Sequence, residues 1–484
     1  MVQPEITRAS VGLRSERGPV LLSVMLSAGL VAIDSTILAT AVPAIVDDLG
    51  GFSQFPWLFS VYLLAQAVAV PIYGKLADII GRKAIMLFGI GAFVLGSVLC
   101  GLAWSMPALI AFRAVQGLGA GAVQPMGMTI IGDIYTLAER AKVQGYLASV
   151  WAISAVVGPT LGGLFVDFLN WRWIFFVNVP LGAVAVWMLV RKFTEQLTRT
   201  KHKIDFAGAI LLTVGGSLLI FGLLEGGVLW PWISWPSAAV LGGAVLLLIS
   251  FGLVERKAAE PILPGWIFTR RILNGANLVS LTVGVILIGL TSYVPLFAQG
   301  VLDTSALVAG FALAAMTIGW PLAASNSGRL YLRIGFRNTG LIGSVLVLAG
   351  AGLLLTLAAG GSIWVVALTC FLIGLGMGLI ASPSLIAAQS TVGWQHRGVV
   401  TGANMFARSM GSAIGIAVFG AIANASLAGK GAIGSHGSTS SDVPPEVLAP
   451  AIHQVFFGSA VFAVLLVIAV LIIPRKIETD ASAQ

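Results

Sequence analysis

Polar and apolar residues in this chain come in long blocks rather than in a helical or strand alternation. Apolar runs of about 20 residues, the length a helix needs to cross about 30 Å of hydrocarbon, recur from end to end and are divided by short stretches that hold most of the charge. The pattern predicts fourteen helices, near 20–42, 56–75, 84–104, 106–132, 141–165, 172–191, 205–224, 236–255, 273–299, 305–330, 339–359, 362–386, 398–424 and 451–473. Inside a bilayer no water satisfies backbone groups, so runs of this kind have to be helical. The expectation is an all-α polytopic membrane protein.

Composition agrees. The chain is 58% hydrophobic and 10% charged, with mean hydropathy +0.98, outside the range of soluble domains. A net charge of +8 would suggest nucleic acid for a soluble protein, but the positions of the charges explain it differently. Of 27 Lys and Arg, only Arg172 and Lys430 fall in segments opposite the N-terminus, and only Arg113 and Arg408 fall inside helices. All the others collect on one side, which the positive-inside rule makes cytoplasmic, with both termini there. A cytoplasmic membrane is the expected location. Lipid is then the expected surroundings, with no nucleic acid and no visible obligate protein partner.

Other chemistry is thin. Cys100 and Cys370 lie in predicted helices, which argues against a stabilising disulfide. The four histidines lack ligand spacing, and no Gly-Lys-Ser/Thr phosphate loop occurs, so neither a metal nor ATP-driven pumping has support. No cluster of reactive side chains suggests an enzyme, and no organic cofactor is expected. Residues 425–450, rich in Gly, Ser and Pro, read as a loop outside the membrane.

The chain also repeats itself. "GKLADIIGRK" (74–83) returns as "GRLYLRIGFR" (328–337), with the glycines kept and Asp78 replaced by Leu332. "GLGAGAVQP" (117–125) resembles "GLGMGLIASP" (374–383), and "ERAKVQG" (139–145) resembles "HRGVVTG" (396–402). A duplicated bundle of six helices follows, with substrate held near the midplane between the copies, as in many secondary transporters. The predicted division is a first bundle over 1–200, two inserted linking helices over 201–260 and a second bundle over 261–484. The copies are unequal: under the same alignment Asp34 meets Thr291, Arg113 meets Cys370, Pro159 meets Ile416 and Trp151 meets Arg408. Ionisable groups within the membrane therefore concentrate in the first half.

These residues resemble a known family. Gly74-Lys75-Leu76-Ala77-Asp78-Ile79-Ile80-Gly81-Arg82-Lys83 looks like the signature loop between helices 2 and 3 of the major facilitator superfamily, and Arg113-Ala114-Val115-Gln116-Gly117 like its helix-4 arginine motif. Gly158-Pro159-Thr160-Leu161-Gly162-Gly163 resembles the helix-5 antiporter motif; Ser154 stands where that motif often has glycine. Ile33-Asp34-Ser35-Thr36-Ile37 with Val42-Pro43, and "NWRWIFFVNVPLG" (170–182), resemble the fourteen-helix drug:proton antiporter branch. The resemblance implies two six-helix bundles related by a pseudo-twofold axis, plus a linking helix pair. It also implies proton-coupled export of amphiphilic or hydrophobic small molecules by alternating access; a proton-linked importer, or an exporter of one metabolite or lipid, is the alternative.

Elementary physics adds roles to the motifs. Asp34 and Arg113 reach similar depths in the membrane, where burial raises a carboxyl pKa and a neighbouring cation lowers it. Such a pair can take up and release protons, or can simply lock helix 1 to helix 4. Gly74, Asp78, Gly81, Arg82 and Lys83, with Asp133 as the expected partner of Arg82, can form a cytoplasmic latch between the bundles, or serve only as topology anchors. Gly158, Pro159, Gly162 and Gly163 allow a kink and close packing, a conformational hinge by family resemblance. Tyr62, Gln66, Gln116, Gln124, Trp151, Tyr293, Trp320 and Asn404 are candidates for the substrate cavity. Arg408 has no acid at comparable depth in its own half; backbone carbonyls, the Asp78 region and an anionic group on substrate or lipid all stand as partners.

Overall fold

The computed structural model describes residues 11–50, 57–195, 205–226, 229–258, 261–304, 306–357, 361–428 and 444–475. Lys430 and most of the expected 425–450 loop lie outside these residues. The first bundle contains α1 (Gly18–Leu49), α2 (Trp57–Ile80), α3 (Arg82–Gly101), α4 (Met106–Ile134), α5 (Leu137–Phe168) and α6 (Trp173–Lys192). A pair follows, α7 (Phe206–Glu225) and α8 (Trp235–Glu255). The second bundle contains α9 (Arg271–Gly300), α10 (Ala306–Ile334), α11 (Phe336–Leu354), α12 (Ile363–Ser390), α13 (Arg397–Ala428) and α14 (Pro445–Ile472).

Thirteen of these helices, among the described residues, are long and apolar enough to cross a membrane. The helix expected to cross over 141–165 is not among them. It forms as the 32-residue α5, whose first turns carry Glu139, Arg140, Lys142 and Gln144.

Packing repeats between the halves. α1 packs on α5 and α6, as α9 packs on α13 and α14; α4 packs on α2 and α3, as α12 packs on α10 and α11. The halves cross-contact through α2 with α13 and through α5 with α10, which are images of each other under the pseudo-twofold relation. The sequence repeat has a steric cause. A Cβ at Gly117 would lie 2.5 Å from the carbonyl oxygen of Tyr62 on α2, and one at its counterpart Gly374 would overlap Met316 on α10. Small residues let membrane helices approach where no hydrophobic driving force exists between them. Gly81 and Gly335, the last frame glycines of the two decapeptides, have φ of 102° and 85°, a region open to glycine but strained for other residues. They turn α2 into α3 and α10 into α11.

The inserted α7–α8 pair packs on itself, and α7 lies along the line where α2 meets α13. Ile220 joins Ala67, Val68 and Ala413 in one small apolar cluster there, and the rings of Trp57 and Phe221 are 5.6 Å apart. Trp235 is exposed at the start of α8, as expected for an interfacial residue.

Candidate functional site

The first half holds a buried polar cluster in an otherwise apolar bundle. Asp34 sits mid-way along α1, and its carboxylate accepts from Arg113 Nη1 on α4 at 2.6 Å and from Gln116 Nε2 at 2.7 Å. Asn178, at the start of the main part of α6, donates to the same carboxylate at 3.4 Å and to Ser97 of α3 at 3.2 Å. Gln116 also donates to Ser97 at 2.8 Å and accepts from Arg113 at 2.6 Å. Arg113 is completed by the Leu58 carbonyl at 3.1 Å and by the Tyr62 ring, 4.2 Å from its guanidinium carbon. Asp34 and Arg113 are each only 1% exposed. Several donors converge on this carboxylate, as a charge taken out of water requires. Removing one partner of a buried pair strands the other, at a cost of about 3–5 kcal/mol.

The second cluster joins the halves. It lies at the end where α2 turns into α3, called here the basic end. A Cβ at Gly74 of α2 would fall 2.6 Å from the carbonyl oxygen of Gly398 on α13, so two glycines bring these helices together. The close approach places Asp78 at the first turn of α13, where it accepts the backbone N–H of Gly398 at 3.1 Å and of Val399 at 3.0 Å. That turn has no acid of its own, and an anion at a helix N-terminus satisfies its free donors and its dipole. Arg82 then binds Asp78 at 2.7 Å, Asp133 at 3.2 Å and the Trp394 carbonyl at 2.6 Å, with its guanidinium carbon 3.7 Å from the Trp394 ring centre. Arg397 reaches back to Asp133 at 3.1 Å and to the Gly132 carbonyl at 2.6 Å. Thr129 and Thr401 meet at 3.3 Å just inside this layer. The hydrogen bonds that join the halves through Arg82, Arg397, Asp78, Thr129 and Tyr331 gather at this end.

The absence of an acid from the second decapeptide matches the local structure. The pseudo-equivalent of the α13 start is the α5 start. There Thr136 and Glu139 form a capping box within the helix, and Arg17 binds Glu139. With α5 capped from within, the position of Leu332 on α10 carries no such demand.

A family model described as the Major Facilitator Superfamily matches residues 24–416. The chain belongs to that superfamily. Its relatives include the Multidrug transporter protein MdtP of Bacillus subtilis (strain 168), 38% identical over 86% of this chain and 76% of that one. Multidrug resistance protein 3 of the same organism is 37% identical over 83% and 79% of the two chains. The crystal structure of the human organic anion transporter MFSD10 superposes with TM-score 0.65 at 16% identity, covering 95% of this chain and 99% of that one, which is a likeness of fold. Membership identifies the protein as a multi-pass transporter and not an enzyme.

The remaining residues singled out in this major facilitator chain take varied places. On α5, Gly158 abuts Thr36 of α1, whose hydroxyl also donates to the Ser154 carbonyl at 3.1 Å. The antiporter-like segment thus packs two residues from Asp34. Gly162 is buried, a Cβ at Gly163 would meet nothing within 4 Å, and the helix runs unbroken through Pro159.

Several placements differ from the expectations. Lys83 does not face the seam: it donates to the Val190 and Phe193 carbonyls at the end of α6, while Glu195 accepts the N–H groups of Arg82 and Lys83. Those are the free ends of α3 and α6, and the nearest charges satisfy them. Gln116, expected at the cavity wall, is fully buried because its amide completes the Asp34 cluster. Asn404 is likewise buried, bound to Ser280, Asn277 and the Ala276 carbonyl, and ties α13 to α9. Tyr62 is buried beneath Arg113. Gln66 and Gln124 are half-exposed and 3.5 Å apart. Tyr293 packs on Phe419, Trp320 lies against the second-half core, and Trp151 is exposed. Asn178, Ser97 and Arg397 were not singled out from sequence. Arg397 aligns with Arg140 in the repeat, and both bond the Gly132 carbonyl.

Proposed function

We propose that this protein exports amphiphilic or hydrophobic small molecules across a bacterial cytoplasmic membrane in exchange for protons, with Asp34 as the proton site. The observation that carries this is the Asp34–Arg113 pair, an acid and a base held at 2.6 Å inside the bundle. Charges at such depth are costly and mark ion or substrate pathways. The multidrug names of the bacterial relatives support efflux as the direction.

The mechanism follows from which contacts depend on charge. Ionised, Asp34 holds α1, α4 and α6 together through Arg113, Gln116 and Asn178. Protonated, it loses the attraction of Arg113, and α1 is freed to shift against α5 at the Thr36–Gly158 contact. The basic end is the cytoplasmic one in this account. The latched arrangement is then the outward-facing state, with Asp78, Arg82, Asp133 and Arg397 closing the inner side. Breaking the latch opens that side to cargo, and rocking of one bundle against the other completes the cycle.

The test is dye accumulation in inverted vesicles carrying the protein, with the pH gradient imposed and then collapsed by an ionophore. Accumulation that stops with the gradient supports proton-driven export. Accumulation indifferent to the gradient refutes it.

A further inference from the structure

A cation without a protein partner stands on the second half's side of the central seam. Arg408 lies on α13, and among the described residues its side chain makes no hydrogen bond and no ion pair. The other buried arginines are engaged: Arg113 by Asp34, Arg82 by Asp78 and Asp133, Arg397 by Asp133, and Arg140 by the Tyr135 and Gly132 carbonyls. The neighbours of Arg408 on its own helix are engaged. Asn404, one turn earlier, is bound to α9, and Ser412, one turn later, bonds the Gly284 carbonyl at 3.3 Å.

Helical phase shows where Arg408 points. It follows Thr401 by seven residues, two turns on the same face, and that face at Thr401 meets Thr129 of α4 across the seam. Met410 and Ala413, on another face, pack toward α2 and α7. Arg408, whose backbone abuts Gly284 of α9, therefore sits between the α9 contact and the seam, about 10 Å beyond Thr401 along the helix at about 1.5 Å per residue. Its partial exposure fits a side chain open to the cleft. On the first half's side, Gln124 precedes Thr129 by five residues, about 7–8 Å from the seam. Its loose 3.5 Å contact with Gln66 leaves both half-exposed amides able to turn to a ligand. The Asp34 carboxylate is enclosed and already holds its donors, so it offers no countercharge to cargo.

We propose that Arg408 binds an oxyanion, a carboxylate, sulfonate or phosphate, on an amphiphilic cargo held between the bundles, making the transporter selective for amphiphilic anions. A planar guanidinium suits that geometry, and a deep cation is tolerable where an incoming anion neutralises it. This rests on the efflux reading above and names its substrate class.

The test is equilibrium binding to purified protein in zwitterionic micelles, with one fluorophore prepared as its carboxylate and as its uncharged amide, and a lipophilic cation as the third probe. Wild type is expected to prefer the carboxylate. Arg408→Gln should weaken carboxylate binding about tenfold, the loss of one charge-assisted contact, and leave the amide within about twofold. Arg408→Lys should recover part of the preference. Equal weakening of carboxylate and amide, no weakening at all, or a wild-type preference for the cation overturns the proposal. Competition by phosphatidylglycerol, dependent on Arg408, would make a lipid headgroup the occupant; its failure to compete leaves a free amphiphile. Gradient-driven transport of the amide by Arg408→Gln vesicles reads the efflux mechanism separately, because export can stand when anion selectivity falls.

Discussion

Asp78 on α2 caps the first turn of α13, accepting the backbone N–H of Val399 at 3.0 Å from the opposite half of the molecule. A carboxylate that caps a helix belonging to the other bundle makes the seam between the bundles depend on its charge. A cap of this kind contributes about 0.5–2 kcal/mol, and the Arg82 contact adds to it.

Asp78→Asn should therefore shift the closed state toward opening by roughly threefold to thirtyfold, since 1.4 kcal/mol is a factor of ten. Cysteine placed at Thr401, which lies just inside the Asp78–Arg82 layer, should react faster with a membrane-impermeant maleimide from the basic side. Cys100 and Cys370 are buried and give a low background. An unchanged labelling rate would mean that Asp78 does not hold the seam.

At the α5 start the cap is local, so a different outcome is expected. Thr136→Ala removes a capping-box hydroxyl and should cost about 1 kcal/mol of stability, read as a lower melting temperature in detergent. The rate of labelling at Thr401→Cys should stay as in the parent, because the Thr136–Glu139 box lies within α5.

Gly158 tests the contact between α5 and α1. An alanine methyl there would overlap the Thr36 hydroxyl and lie 2.9 Å from its Cβ. Overpacking of this kind costs about 1–3 kcal/mol. Gly158→Ala should slow transport and lower stability, and adding Thr36→Ala should restore part of both. Wild-type behaviour of the single variant would remove this contact from the mechanism.

Asp48, beyond the apolar span of α1, is bound by Arg172 at 2.7 Å and by Trp171 at 3.0 Å, and the Arg172 bond holds its carboxyl below the usual aspartate value. A folded value depressed in this way stabilises the protein above the unfolded pKa of about 4, and the gain disappears as pH falls through the lower folded value. The pair is largely exposed, so the melting difference between wild type and Asp48→Asn should be at most about 1–2 °C near neutrality. It should vanish near pH 3. A difference that grew on acidification would contradict the assignment.

What the sequence could reveal depended on whether a residue's need was local. Asp34 and Arg113 stand out because a charge in an apolar helix has to find its opposite, and the two motifs placed them at matching depth; Arg82 with Asp133 follows the same logic. The glycine frames were legible because duplicated spacing marks duplicated packing. Asn178 and Ser97 passed unnoticed, since a single neutral polar residue in an apolar run has no period. The cap on α13 was hidden because its donors are backbone groups of a helix some 320 residues away. A trace existed in His396-Arg397-Gly398, a helix start with no residue able to cap it. Lys83, Gln116 and Asn404 were misplaced because residue type and helix number say nothing about which face a side chain takes.

The central claim is that Asp34 carries the coupled proton, and one measurement addresses it most directly. Inverted vesicles containing wild type or Asp34→Asn are energised to an acid interior, a panel of amphiphilic dyes is added, and proton release is followed with a pH-sensitive fluorophore. Asp34→Asn keeps one carbonyl acceptor, enough for Arg113 or Gln116 but not for both, so dye binding to the purified variant is measured alongside to establish that the fold persists. The account predicts dye-dependent discharge of the gradient by wild type and none by the variant. Equal discharge by both would contradict it.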